Sequence, residues 1–309
     1  MATQNKNHTP KLKQPAQLFD VTLRLEHLKN RDRPEEMLLS LYGYTKAYRK
    51  FIELVGQELE PDEFSVFQLE RVTEGSVKLK NKVGYKPGVL SFIGLQLAKL
   101  LLNDASDDNI ESKARELEKD TADFIESRSS KGEQTEIERR EPYFDRVTLA
   151  EVMNDISDAG TLLMPKEHFE VINSEKNKKS AQVLQFNRSF RSSVSISELK
   201  KLKPEPYDGD DTVIALRPCN VGDSSWYVQS VVTERKYYAK ITDSEWLIDY
   251  QSGKMPAVRA NNLIEVNLKC SIVKGQNGSV RNVNAEITKV HRVKESNLLS
   301  DTQQANLFE

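Results

Sequence analysis

Cysteine and histidine are both scarce in this chain, and each scarcity closes off chemistry. Only two cysteines occur among 309 residues, Cys219 and Cys270, each in a segment with the pattern of a β-strand. A pair so placed builds neither a disulfide framework nor a thiolate cluster, and reads as two small buried residues in a reducing compartment. The four histidines, His8, His27, His168 and His291, are far apart, and none lies three or four residues from another histidine or a cysteine. Zinc-type spacing is therefore missing, and no metal ligand is assigned. Phosphate loops are missing too: "GVLSFIGLQ" carries its glycines inside a helical pattern, and no G-x-x-x-x-G-K-[ST] or strand-linked G-x-G-x-x-G occurs. "GDSSW" lacks the glycine-flanked elbow that exposes a nucleophilic serine. The carboxylate pairs Glu35–Glu36, Asp107–Asp108 and Asp210–Asp211 fall at a helix start, in a linker and in a turn, where capping and turn chemistry account for them. No catalytic residue and no cofactor follow, and the balance favours a non-enzymatic protein over an enzyme with a composite site.

Long apolar runs are also absent. The best, "VLSFIGLQLAKLLL", is interrupted by Gln96 and Lys99 and falls short of the ~20 residues that span a bilayer. The first residues, "MATQNKNHTPKLKQPAQ", hold no hydrophobic core of a secretory signal. A cytoplasmic location without a membrane partner is expected. Net charge is nearly absent as well: 45 basic side chains against 47 acidic ones leave -2, so any attraction to nucleic acid has to be local.

What is present is an α+β pattern in several blocks. Residues 1–16 read as a polar arm, and 17–105 as an α+β domain. Within it "LFDVTLRLEHL" alternates as a strand with one buried face, and Pro34, Glu35 and Glu36 open a helix. The helix carries a core-facing stripe of Leu38, Leu41, Tyr48, Ile52, Val55 and Leu59. "FSVFQLERV" and "SVKLKNKV" flank "TEG" as a hairpin, and a helix after Pro87 is apolar nearly all round and is expected to be the best-buried element. Residues 106–141 read as a charged helix fraying into linker, with Ile110, Ala114, Leu117, Thr121, Phe124 and Ile125 as a thin apolar seam. Residues 142–206 form a mixed segment: a helix capped by Thr148 with Glu151, a short helix at "PKEHFEVINS", a strand at "AQVLQFN" and a helical turn at "SISELKKL". The cluster "KPEPYDGDD" is the sharpest boundary signal. Five short strands in 210–294 then predict a small all-β domain, barrel or sandwich, with one helical turn at "TDSEWLID" capped by Thr242 or Asp243. Residues 295–309 read as a flexible tail.

Two stretches carry binding character. Between Ser174 and Lys203 eight basic residues face two acidic ones. There Lys178, Lys179, Arg188, Arg191, Lys200 and Lys201 could hold phosphates while Phe190 stacks a base. The all-β domain adds Arg235, Lys236, Lys240, Lys269, Lys274, Arg281, Lys289, Arg292 and Lys294, with Trp226, Tyr227, Tyr237, Tyr238 and Trp246 nearby, either as a stacking platform or as core at alternate positions. DNA or RNA is thus one candidate partner.

The last residues, "TQQANLFE", hold a Leu-Phe pair after a polar run. "QANLF" resembles the linear motif by which bacterial replication and repair proteins dock on the DNA sliding clamp: Gln304, Leu307 and Phe308 match it, Asn306 substitutes at its third place, and Ala305 departs from the usual leucine. The resemblance implies that Leu307 and Phe308 enter an apolar pocket while Gln304 makes the polar anchor. "WYVQSVVTERKYYAKITDSEWLIDYQSGKMPAVRANNLIEVNL" is similar to a segment in uncharacterised prokaryotic proteins of mobile elements or phage defence. Together these features predict an accessory or adaptor protein of bacterial or phage DNA metabolism or defence. It would contact nucleic acid or other protein subunits and tether to the clamp. The alternative is a purely protein-binding subunit of a larger complex.

Overall fold

Val21, Leu23 and Leu25 are fully buried while the residues between them are not, the period of two expected of a strand with one face on a core. That strand is β1 (Phe19–Glu26) in a computed structural model that describes residues 18–60, 68–73, 76–130, 141–173, 182–220, 222, 224–259, 262–275 and 278–294. The chain folds as α+β in two compact units, one of residues 1–104 with 152–192, the other of 105–151 with 193–309.

In the first unit β1 sits at the middle of a five-stranded sheet with β2 (Gln68–Thr73), β3 (Val77–Val83), β4 (His168–Asn173) and β5 (Gln182–Gln185), in the order β2-β3-β1-β4-β5. Every neighbour pair is antiparallel. Helix α1 (Pro34–Leu59) starts on a proline, whose fixed φ suits a first turn, with Glu35 and Glu36 beside the positive helix end. Its buried stripe runs through Met37, Leu41, Tyr44, Tyr48, Phe51, Ile52 and Val55. Leu38, expected in that stripe, is 56% exposed, because it lies about 100° around the helix from Met37. Tyr44 stacks on Phe169 of β4 with centroids 4.6 Å apart, and Phe186 meets both rings edge-on. Helix α2 (Pro87–Leu100) buries Val89, Leu90, Ile93, Gly94, Gln96, Leu97 and Leu100, half of its length, and leaves Leu95 60% exposed.

The segment "PKEHFEVINS", expected as a short helix, contains β4 instead. Phe169 and Val171 are fully buried, and six residues pair with β1, contacts more than a hundred residues away in sequence that local propensity cannot register.

In the second unit α3 (Ile110–Ser130) is packed, not merely solvated: Ile110, Ala114, Leu117, Thr121 and Ile125 of the thin seam are buried. The next helix, α4 (Arg146–Thr161), has only its first residues, to Glu151, in this unit; it is capped by Asp145, whose Oδ2 accepts from Thr148 N at 2.8 Å and from Thr148 Oγ1 at 2.7 Å. Asp145 thus takes the place expected of Thr148. The turn α5 (Ile196–Leu199) leads into β6 (Glu205–Arg217). "KPEPYDGDD" is therefore largely strand and not a break. Glu205–Ile214 pair with one neighbouring strand, and the other edge is engaged only from Val213 on, which leaves Pro206 room for its missing N–H. β7 (Trp226–Ser230), β8 (Lys236–Ile241), α6 (Ser244–Gln251), β9 (Leu263–Lys274) and β10 (Val280–Lys294) follow. The five strands close a barrel in the order β10-β8-β7-β6-β9. Its interior holds Val213, Trp226, Val228, Tyr237, Ile241, Ile264, Val266, Leu268 and Ile287. Cys270 also faces this interior; burial pushes its thiol up to about 11. Neither cysteine is in a disulfide, and Cys219 lies just past the end of β6.

Candidate nucleic-acid interface

The barrel's strands follow a defined connectivity. Numbered within the barrel, strands one, two and three are consecutive antiparallel neighbours, strand three runs parallel to strand five, and strand four joins five back to one. A helix, α6, links strands three and four. The long first strand pairs in its first part with strand four and at its end with strand two. This is the five-stranded Greek-key order of the OB-fold, whose second and third strands carry the face that meets oligonucleotides or oligosaccharides. Here those strands are β7 and β8.

Alternation sorts their aromatics. Trp226 and Tyr237 point into the core, while Tyr227 and Tyr238 are half-buried on the outer face. Register aligns the outer pair: Tyr227 lies opposite Tyr238 and, on its other side, opposite Arg217 of β6. The two rings are 4.8 Å apart and tilted by 37°. Lys236, two residues before Tyr238, shares that face. Arg217 and Lys236 are exposed and make no ion pair among the described residues, and the two tyrosine hydroxyls donate to no protein group there.

Helix α3 stands along this face. A cleft of about 480 Å³ is floored by Arg217, Tyr227, Lys236 and Tyr238 and walled by one side of α3, from Arg115 through Lys119 and Asp123 to Glu126. The i, i+4, i+8 and i+11 spacing puts these residues on one helix face. The wall is clamped by a buried charge network. Glu118 accepts from Arg146 Nη1, from Arg281 Nη1 of β10 at 2.8 Å and from Phe144 N at 3.3 Å. Arg146 also donates to both oxygens of Glu111 at 3.0 Å, and Arg281 reaches Glu141. Burial alone would lower the Arg146 pKa, but hydrogen bonds to Glu111 and Glu118 raise it above the usual guanidinium value. The same bonds, overriding burial, hold Glu111 below the usual carboxylate range.

The residues expected from sequence to bind nucleic acid are not assembled into a comparable surface. Lys178 and Lys179 lie outside the described residues, as do Gln304, Leu307 and Phe308. Phe190 is 1% exposed, and a ring so covered offers no face to a base. Arg188 donates to Leu163 O at 3.2 Å, and Arg191 Nη1 donates to the carbonyls of Arg188 and Phe190 at 2.8 and 2.7 Å. Both guanidiniums therefore brace loop backbone. Lys200 is exposed on the turn after α5, and Lys201 pairs with Glu198 at 2.7 Å. Sequence reading named Tyr227, Tyr238 and Lys236 without separating them from Trp226 and Tyr237, and it passed over Arg217, Arg115 and Lys119. Only strand register, which brings residues ten apart side by side, marks Arg217 out.

Among the described residues no group of His, Cys, Asp and Glu could hold a metal ion, and no helix is long and apolar enough to cross a membrane. No protein-family model, curated protein or solved structure matches the chain.

Proposed function

We propose that this protein is a non-enzymatic accessory factor of nucleic-acid metabolism that binds single-stranded nucleic acid on the β7–β8 face of its barrel. The observation that carries the reading is the cross-strand row Arg217–Tyr227–Tyr238, with Lys236 beside it, on the strands an OB-type barrel uses for ligands. Tyrosine rings stack any base, and Arg217 and Lys236, without an ion pair among the described residues, hold phosphate. An adaptor role for the C-terminal motif is part of the same proposal: Leu307 and Phe308 would insert in a clamp pocket, a weak contact that gains from a second one on nucleic acid.

The test is fluorescence anisotropy with a labelled oligothymidylate of about twenty nucleotides, long enough for one or more OB sites. Tyr227→Ala combined with Tyr238→Ala is expected to weaken binding by roughly 5–150-fold for each base stack removed, the equivalent of about 1–3 kcal/mol. Arg188→Ala with Arg191→Ala, by contrast, is expected to leave it unchanged. Binding unaffected by the tyrosine pair would favour the protein-binding reading, with the barrel face a protein contact.

A further inference from the structure

The cleft is poor in net positive charge for a groove that tracks a strand. Its lining contains five cations and four carboxylates. Arg281 is tied to Glu118 and Glu141, and Arg115 to Glu111. Lys119, Arg217 and Lys236 remain for a ligand, and the carboxylate of Asp123, without a partner among the described residues, stands on the same wall as Lys119. A continuous single strand presents one phosphate per nucleotide, and a groove that follows it repeats cation after cation along the path. Here a third phosphate would run against the carboxylates of α3. The clamp through Glu118 joins α3 to β10, so the acidic wall is part of the unit. A volume of about 480 Å³ falls in the range of small-ligand pockets and suits one or two nucleotide units.

Resting on the nucleic-acid reading above, we infer that the cleft takes one nucleotide unit or two, with bases on the Tyr227–Tyr238 platform and one or two phosphates against Arg217, Lys236 and Lys119. It does not track a strand. The unit comes either from a free nucleotide or from a short element of a single strand, and the chemistry of recognition is shared.

The experiment measures binding of the full chain to thymidine monophosphate, to a phosphorylated thymidine dinucleotide and to oligothymidylates of about five and about twenty nucleotides, over a series of salt concentrations. Neutralising one or two phosphates predicts a slope of log affinity against log salt of about -0.7 to -1.4 at every length. Affinity should then rise with length no faster than the number of units that can enter the cleft. If the mononucleotide matches the longer probes unit for unit, the source is free nucleotide; if only the strands bind, with the same shallow slope, the source is an element within a strand. A slope that steepens with length past about -3, as more than four phosphates are neutralised, overturns the inference while leaving single-strand binding intact. Absence of binding to every probe removes both. Asp123→Lys supplies an independent check. It is expected to improve binding of the longest oligothymidylate more than that of the dinucleotide, and equal improvement of both counts against the inference.

Discussion

Single side chains in this molecule are held by contacts tight enough to give sharp mutational outcomes. Gly56, inside α1, faces the ring of Tyr85: a Cβ built there would lie 2.3 Å from its Cζ. Tyr85 is buried and has little room to retreat. Gly56→Ala would normally favour a helix by about 1 kcal/mol, yet overpacking here is expected to outweigh that and destabilise by about 1–3 kcal/mol. Urea unfolding checks this, and Gly56→Ala on a Tyr85→Leu background should lose much of the penalty, since the obstructing ring tip is gone. Glu118 gives the second outcome. Glu118→Ala leaves the buried guanidinium of Arg146 and the half-buried one of Arg281 without their shared carboxylate, a loss expected to cost about 3–5 kcal/mol. Because the same carboxylate ties α3 to the barrel, binding of single strand should weaken along with stability, whereas the tyrosine variants should weaken binding with the melting temperature unchanged.

At the scale of elements, α6 shows how one carboxylate fixes a whole segment. Asp243 caps the helix by accepting from Trp246 N at 3.4 Å, and its other oxygen accepts from Val290 N of β10 at 3.1 Å and meets Lys289 at 3.3 Å. Burial works to raise its pKa, but the two backbone N–H groups and Lys289 lower it further, and the net direction is down. A carboxyl whose folded pKa lies below its unfolded value stabilises fully above the unfolded value, near 4, and loses that stabilisation as pH falls through the folded one. Unfolding measured from pH 7 to pH 2 should therefore show an acid limb that is shallower in Asp243→Asn, a variant already weaker at neutral pH. That cap was legible in "TDSEWLID", as were β1, the start of α1, the hairpin strands β2 and β3 and the five barrel strands, because each is marked by local period or by a capping residue. β4 was not legible. "HFEVIN" becomes a strand only because β1 lies on one side and β5 on the other, and nothing within ten residues records either neighbour. The same limit hid the site. The alternation of "WYVQS" and "KYYAK" tells that one aromatic of each pair faces in, but the row Arg217–Tyr227–Tyr238 exists only through register. The basic cluster shows the complementary limit: its charge is visible in sequence, whereas the carbonyls that accept from Arg188 and Arg191 are not.

The whole chain passes through its two units in alternation, which makes its cuts informative. Deleting Gln304–Glu309 removes only the C-terminal motif, so the melting temperature and oligothymidylate affinity should stay as they are, while capture on an immobilised bacterial sliding clamp is lost; retention of full clamp binding would show that the motif is not the anchor. A cut after Asp104 should behave quite differently, although "KPEPYDGDD" and the charged stretch made that half look self-contained. Residues 1–104 supply β1, β2, β3, α1 and α2, but β4 and β5 arrive from beyond residue 167. Without them β1 becomes an edge with its pairing groups from Val21 to Glu26 exposed, the stacking partner of Tyr44 is gone, and Phe186 no longer covers Tyr48. Full burial of Phe169, Val171 and Phe186 alone is worth about 1.5–3 kcal/mol each, together comparable with the 5–15 kcal/mol that separates a folded domain from its unfolded chain. The fragment 1–104 is therefore expected to lack a cooperative thermal transition, whereas 1–192, which restores β4, β5 and the Arg188–Arg191 loop, should recover one. Circular dichroism melts of the two fragments decide it, and a cooperative transition in the shorter one would mean that β1, β2 and β3 suffice with α1 and α2 to build a core.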